Sequence, residues 1–129
     1  MKVNDVNVRI AIPVEDTNGL NARLSQHFGR ALYFAVVELD EKGTVLNLQT
    51  VPNKSEHFGG MGKPPGILMS LRPNAVITYG MGPRALNMFQ SANVAVLQTN
   101  KNLVKDVIEV YNKDELVELT EGCHHAKHV

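Results

Sequence analysis

Val8–Val14 reads VRIAIPV, with no polar residue after Arg9. A strand with one wet face alternates apolar and polar side chains. This run does not alternate, so it is expected to be a strand buried on both faces. Glu15–Gly19, EDTNG, supplies the turn that ends it. Downstream, Tyr33–Leu39 (YFAVVEL) and Val45–Val51 (VLNLQTV) flank Asp40–Thr44 (DEKGT), which predicts a hairpin around Gly43. The second of these strands sets Leu46 and Leu48 against Asn47 and Gln49, a half-wet pattern that places it near a sheet edge.

The rhythm then changes. Pro52–Gly66 (PNKSEHFGGMGKPPG) has no apolar period and reads as a long loop, a class of segment that is usually functional. Beyond it the pattern runs helix, strand, helix, strand, helix over Ile67–Leu71, Ala75–Tyr79, Pro83–Ala92, Val94–Leu97 and Leu103–Tyr111. Ala85, Leu86, Met88, Phe89 and Ala92 make one helical face, and Leu103, Val104, Val107, Ile108 and Tyr111 another, with Asn100 as the expected cap. The expected fold is three-layer α/β: a five-stranded mixed sheet, hairpin first and α/β alternation after, with helices on its faces.

Composition narrows the function classes. The 129 residues carry 13 basic and 13 acidic side chains, so there is no cationic excess for a nucleic-acid backbone. Cys123 is the one cysteine, which rules out an internal disulfide. No stretch approaches the roughly 20 apolar residues of a membrane span. Residues 1–129 are expected to form one cytoplasmic domain ending in a Cys/His-rich tail at 121–129.

Polar chemistry gathers in three places. In Arg23–Ala31, RLSQHFGRA, an imidazole precedes Phe-Gly, so Phe28 can anchor a turn that presents His27, with Gly29 free to take positive φ. His27 is a candidate ligand or general base; the alternative is a surface histidine bonded to a backbone carbonyl. In Tyr79–Ala85, YGMGPRA, a strand ends and a helix opens with Pro83 at its first position, and free N–H groups with Arg84 favour an anion. The alternative is a tight turn that needs its glycines. The string also fits a relaxed dinucleotide fingerprint, but Thr99 and Asn100 stand where the acidic ribose contact belongs. The run Cys123, His124, His125, Ala126, Lys127, His128 offers soft and borderline metal ligands, or is a disordered tail. His57, with Met61 and Lys63, repeats the His-Phe-Gly pattern inside the glycine-rich loop, or is a solvated loop histidine. That loop lacks P-loop spacing.

Taken together, RIAIPV, LSQHFGRA, the loop with Gly59, Gly60 and Gly62, YGMGPRAL and the strand-helix ending resemble the dinitrogenase iron-molybdenum cofactor biosynthesis family over nearly the whole chain. The chain is also similar to the bacterial orange protein, a carrier of a molybdenum-copper sulfide cluster. The resemblance implies a ribonuclease H-like fold, with the middle hairpin strand antiparallel to the others, and a cluster site near the strand ends. His27 falls on the family's histidine. Arg30, Gly80, Met81, Gly82 and Arg84 become the expected cofactor contacts, and His27, His57, Cys123, His124 and His125 the expected metal ligands.

The expectation is a non-catalytic binding or carrier protein for a metal-sulfur cluster, iron-sulfur or molybdenum-containing, with cluster donor and acceptor proteins as its partners. A ribonuclease-type enzyme needs carboxylates on the sheet to hold two metal ions, and Val8–Val14 has none. A regulatory or scaffold domain that binds a small anion or a partner protein is the alternative.

Overall fold

The computed structural model describes residues 7–53 and 68–120. Val8–Val14 forms β1, Tyr33–Leu39 β2, Val45–Pro52 β3, Ala75–Thr78 β4, Pro83–Ser91 α1, Ala95–Gln98 β5, Val104–Asn112 α2 and Val117–Glu118 β6. Residues 68–70 are helical. The six strands make one sheet in the order β3-β2-β1-β4-β5-β6. β1 runs parallel to β4 and β4 to β5, while β2 is antiparallel to both of its neighbours and β6 is antiparallel to β5.

The expected mixed α/β sheet is therefore present, with six strands among the described residues rather than five. The extra strand pairs only Val117 and Glu118 with Gln98 and Leu97, and both of its residues are exposed. Two solvent-facing residues leave no period to read, because pairing with β5 alone defines them. The half-wet strand β3 lies at the sheet edge, as its alternation requires. Asn53 N donates to Leu32 O (3.0 Å), which continues the β2–β3 ladder with residue 53 turned inward. Pro52, paired with Tyr33, then sits where its missing N–H faces the open edge and costs nothing.

β1 is buried on both faces. Ile10, Ile12 and Val14 join Ala35, Val37, Leu39 and Ile77 in one core, which α2 closes with Val104, Val107 and Ile108. Ala11 belongs to the opposite core with Phe34, Val76 and Val96, closed by Leu86 and Phe89 of α1, by Leu68 and by Phe28. Arg9, the charge in this strand, sits at its amino end. Its guanidinium donates to Glu38 Oε2 (3.0 and 2.7 Å) and to Leu71 O (2.6 Å), tying β1 to β2 and to the turn before β4.

α2 begins at Val104 with Leu103, not Asn100, in the cap position, and no side chain caps it. Leu103 is held there by a β-bridge to Arg23, so a tertiary contact fixes the helix start in place of a local cap. At the other end of α2, Asn112 Nδ2 donates to Gly43 O (3.0 Å) across the hairpin turn. Gly43 has φ +86, and a Cβ there would lie 2.5 Å from Asn112 Oδ1.

Gly43→Ala is expected to lower unfolding stability by about 1–3 kcal/mol through backbone strain in urea titrations. Asn112→Ala should cost about 1 kcal/mol for the lost hydrogen bond. The double variant should cost less than the sum, because removing the amide clears space for the new methyl group but leaves the strained φ.

Candidate functional site

Because β1, β4 and β5 are parallel, their carboxyl ends lie at one end of the sheet. β1 and β4 part there, and Pro13 is the reason. The ladder between them pairs Ile10 with Ala75 and Ala11 with Val76. Pro13 has no N–H to extend such a ladder. Its carbonyl accepts from Ser25 N instead (2.9 Å), so the 15–32 segment folds back onto the end of β1. Val14 bridges Leu24 in the same place.

That fold-back positions the first motif. Phe28–Arg30 is a 3-10 turn with His27 in its cap position. Phe28 is buried, its ring 5.9 Å from those of both Phe34 and Phe89, edge-on to the latter. The flanking His27 and Arg30 are exposed. Ser25 is buried, and its hydroxyl donates to His27 O (3.0 Å) and accepts from His27 N (3.3 Å). His27 thus projects from a backbone pinned on both sides. Gly29 does not use positive φ, contrary to expectation, because a 3-10 turn needs none.

The second motif meets the first across the same core. Met81 is 2% exposed and packs with Phe28, Leu86 and Phe89, so its thioether faces inward. Gly82 caps α1 with no side-chain bond, Pro83 opens the helix, and Arg84 is exposed in its first turn. Thr78 is buried at the end of β4 and its hydroxyl donates to Gly80 O (3.2 Å). The structure therefore brings His27, Arg30, Gly80, Gly82 and Arg84 to one end of one face, and assigns Met81 to the core beneath them. His57, Cys123, His124 and His125 lie outside the described residues.

Neither 24–32 nor 79–84 contains an Asp or Glu. Among the described residues, the Arg30 and Arg84 side chains have no hydrogen bond or ion pair. Together with the uncapped start of α1, they are unpaired positive groups among the described residues. Gly29, Gly80 and Gly82 lie outside the left-handed region, and a Cβ at each would meet nothing within 4 Å. Neither backbone conformation nor packing among the described residues demands glycine there. The carboxylate of Asp16 accepts from Asn18 N (3.0 Å) and Arg23 N (3.3 Å).

The model of the dinitrogenase iron-molybdenum cofactor family matches residues 8–114. The chain belongs to that family. An uncharacterised protein of Methanocaldococcus jannaschii is 29% identical over 111 residues, covering 84% of this chain and 89% of its own. Among solved structures, a Thermotoga protein described as a NifB candidate of the DUF35 family is 27% identical, with 92% of this chain and 98% of that one covered and a TM-score of 0.73. The apo orange protein of Desulfovibrio gigas shares the fold at 21% identity and a TM-score of 0.74, with 92% of this chain and 98% of its own covered.

The unpaired Arg30 and Arg84 and the start of α1 suit an anionic ligand. Coordination is thinner: among the described residues no three His, Cys, Asp or Glu side chains converge. Among the described residues, only His27 offers an imidazole. Sequence reasoning passed over Ser25 and Thr78, although each stands two residues before a motif residue it fixes.

On the opposite face of the strand ends, Tyr79 Oη lies 3.1 Å from Asn102 Oδ1. Burial raises the Tyr79 phenol above 10.0, Arg23 opposes the rise and Glu15 adds to it. Burial, then Asp114, raises Tyr111 likewise. A raised pKa means that the folded state favours the protonated phenol. Its contribution is full below pH 10 and is lost as pH rises through the folded values. Melting temperature should fall as pH rises above 10, and Tyr79→Phe with Tyr111→Phe should flatten that fall.

Proposed function

We propose that this protein is a non-catalytic carrier that holds an anionic metal-sulfur cluster, iron-sulfur or molybdenum-containing, at the carboxyl ends of β1 and β4. One observation carries the reading: an exposed imidazole, two guanidinium groups without carboxylate partners among the described residues and an uncapped helix start share one end of the sheet. A catalytic metal site of the ribonuclease type would supply carboxylates instead. We read the order β3-β2-β1-β4-β5, with β2 reversed, as a ribonuclease H-like arrangement extended by β6.

In this reading His27 is the direct ligand. Arg30, Arg84 and the first N–H groups of α1 neutralise cluster charge through charge-assisted hydrogen bonds. Gly29, Gly80 and Gly82 let sulfide approach the backbone without meeting a side chain. The family description supports an iron-molybdenum-type cofactor as the cargo class. Exposure of the site suits transfer between a donor and an acceptor protein.

The test is anaerobic incubation with iron, sulfide and tetrathiomolybdate, then desalting and measurement of charge-transfer absorption and bound metal. Wild type should retain both. His27→Ala should retain neither, and Arg30→Gln with Arg84→Gln should weaken retention about tenfold or more, as expected for lost bonds to a charged group. Gly80→Ala should fold normally and bind less. A wild-type chain that retains no metal, or a His27→Ala chain that retains as much as wild type, sinks the proposal.

A further inference from the structure

The described residues contain three buried polar side chains: Ser25, Thr78 and Thr99. All three are hydroxyls, and all three follow one of the parallel strands β1, β4 and β5 or end it. Each bonds the backbone two residues ahead. Ser25 Oγ donates to His27 O at 3.0 Å and accepts from His27 N at 3.3 Å. Thr78 Oγ1 donates to Gly80 O at 3.2 Å. Thr99 Oγ1 accepts from Lys101 N at 3.1 Å. A buried hydroxyl must find a partner, and here each finds one in its own loop, which leaves that loop a single favoured backbone path.

The three loops differ in destination. Those of Ser25 and Thr78 carry His27 and Gly80–Arg84 and pack over the Phe28, Met81 and Phe89 core. The loop of Thr99 leads to α2, which closes the opposite core. From this we infer that Ser25 and Thr78 are paired positioning residues for the cluster site, fixing the imidazole and the helix-start glycines relative to each other before cargo arrives. Thr99 performs the same local task where no cargo binds. The inference rests on the cluster reading of the site.

Ligands held in place lose less freedom on binding, so removal of a positioning hydroxyl should appear as faster cargo release and an altered cluster environment rather than as loss of fold. Thr99→Val supplies the control, since it deletes an equivalent buried bond away from the site.

The experiment compares Ser25→Ala, Thr78→Val and Thr99→Val. In the empty chain, the His27 amide should exchange hydrogen about threefold to tenfold faster in Ser25→Ala, and the Gly80 carbonyl carbon resonance should shift in Thr78→Val. After reconstitution with iron, sulfide and tetrathiomolybdate, both variants should release metal to a chelator about threefold to tenfold faster than wild type, with changed visible circular dichroism. Thr99→Val should release at the wild-type rate despite a similar loss of stability, and Ser25→Thr and Thr78→Ser should restore it. Equal release from all three valine or alanine variants, or wild-type release from Ser25→Ala and Thr78→Val, overturns the positioning role. Wild type that takes up no metal overturns the cluster reading and the inference with it, whatever the exchange and resonance data show.

Discussion

The double burial of β1 is the constraint on which the rest depends. With β2 on one side and β4 on the other, its backbone groups are committed to two ladders, and its side chains are divided between two cores. Nothing polar can project from the middle of such a strand without an unsatisfied group in the interior. Arg9 solves the problem at the amino end by reaching Glu38 and the Leu71 carbonyl. At the carboxyl end Pro13 solves it by withholding a donor, so that the chain breaks from β4 and receives Ser25. The place where ligand chemistry can gather is thus set by where the central strand stops pairing. That is the position at which open α/β sheets generally carry their sites.

How much of this was legible follows from which interactions are local. β1, the hairpin and the two long helices were readable within a residue or two because burial imposes their periods directly on the residue order. Edge position for β3 was readable from the alternation of Leu46 and Leu48 with Asn47 and Gln49, but only Leu48 keeps its inward face: the register shift opposite Glu38 and Leu39 leaves Leu46 exposed. β6 was not, since two exposed residues acquire strand geometry only from β5. The start of α2 misled because Asn100 is a good cap residue in isolation, whereas the Arg23–Leu103 bridge sets the boundary three residues later. Gly29 misled by a different route: a histidine before Phe-Gly suggested a left-handed turn, and a 3-10 turn presents the ring equally well.

The site divides in the same way. His27, Arg30, Gly82 and Arg84, the contacts in the proposed carrier, carry their chemistry in residue type, which is why the motifs drew attention to them. Met81 shares the motif but not the role, because the step that exposes Gly82 turns the adjacent side chain down onto Phe28 and Phe89. Ser25 and Thr78 were invisible for the opposite reason. Serine and threonine near a turn are ordinary, and only their burial shows that the hydroxyls hold the backbone instead of meeting water.

Such a construction separates two demands that usually conflict. Holding an anion tightly favours a desolvated pocket, where each hydrogen bond is strong. Releasing it to another protein favours exposure. Here His27, Arg30 and Arg84 are all exposed, so water remains near and individual charge contacts are modest. The backbone beneath them is not mobile in the same sense: it is fixed by Phe28 between two rings and by the buried hydroxyls. Rigidity is therefore supplied from below and access from above. In the proposed carrier, little conformational entropy would then be lost on binding.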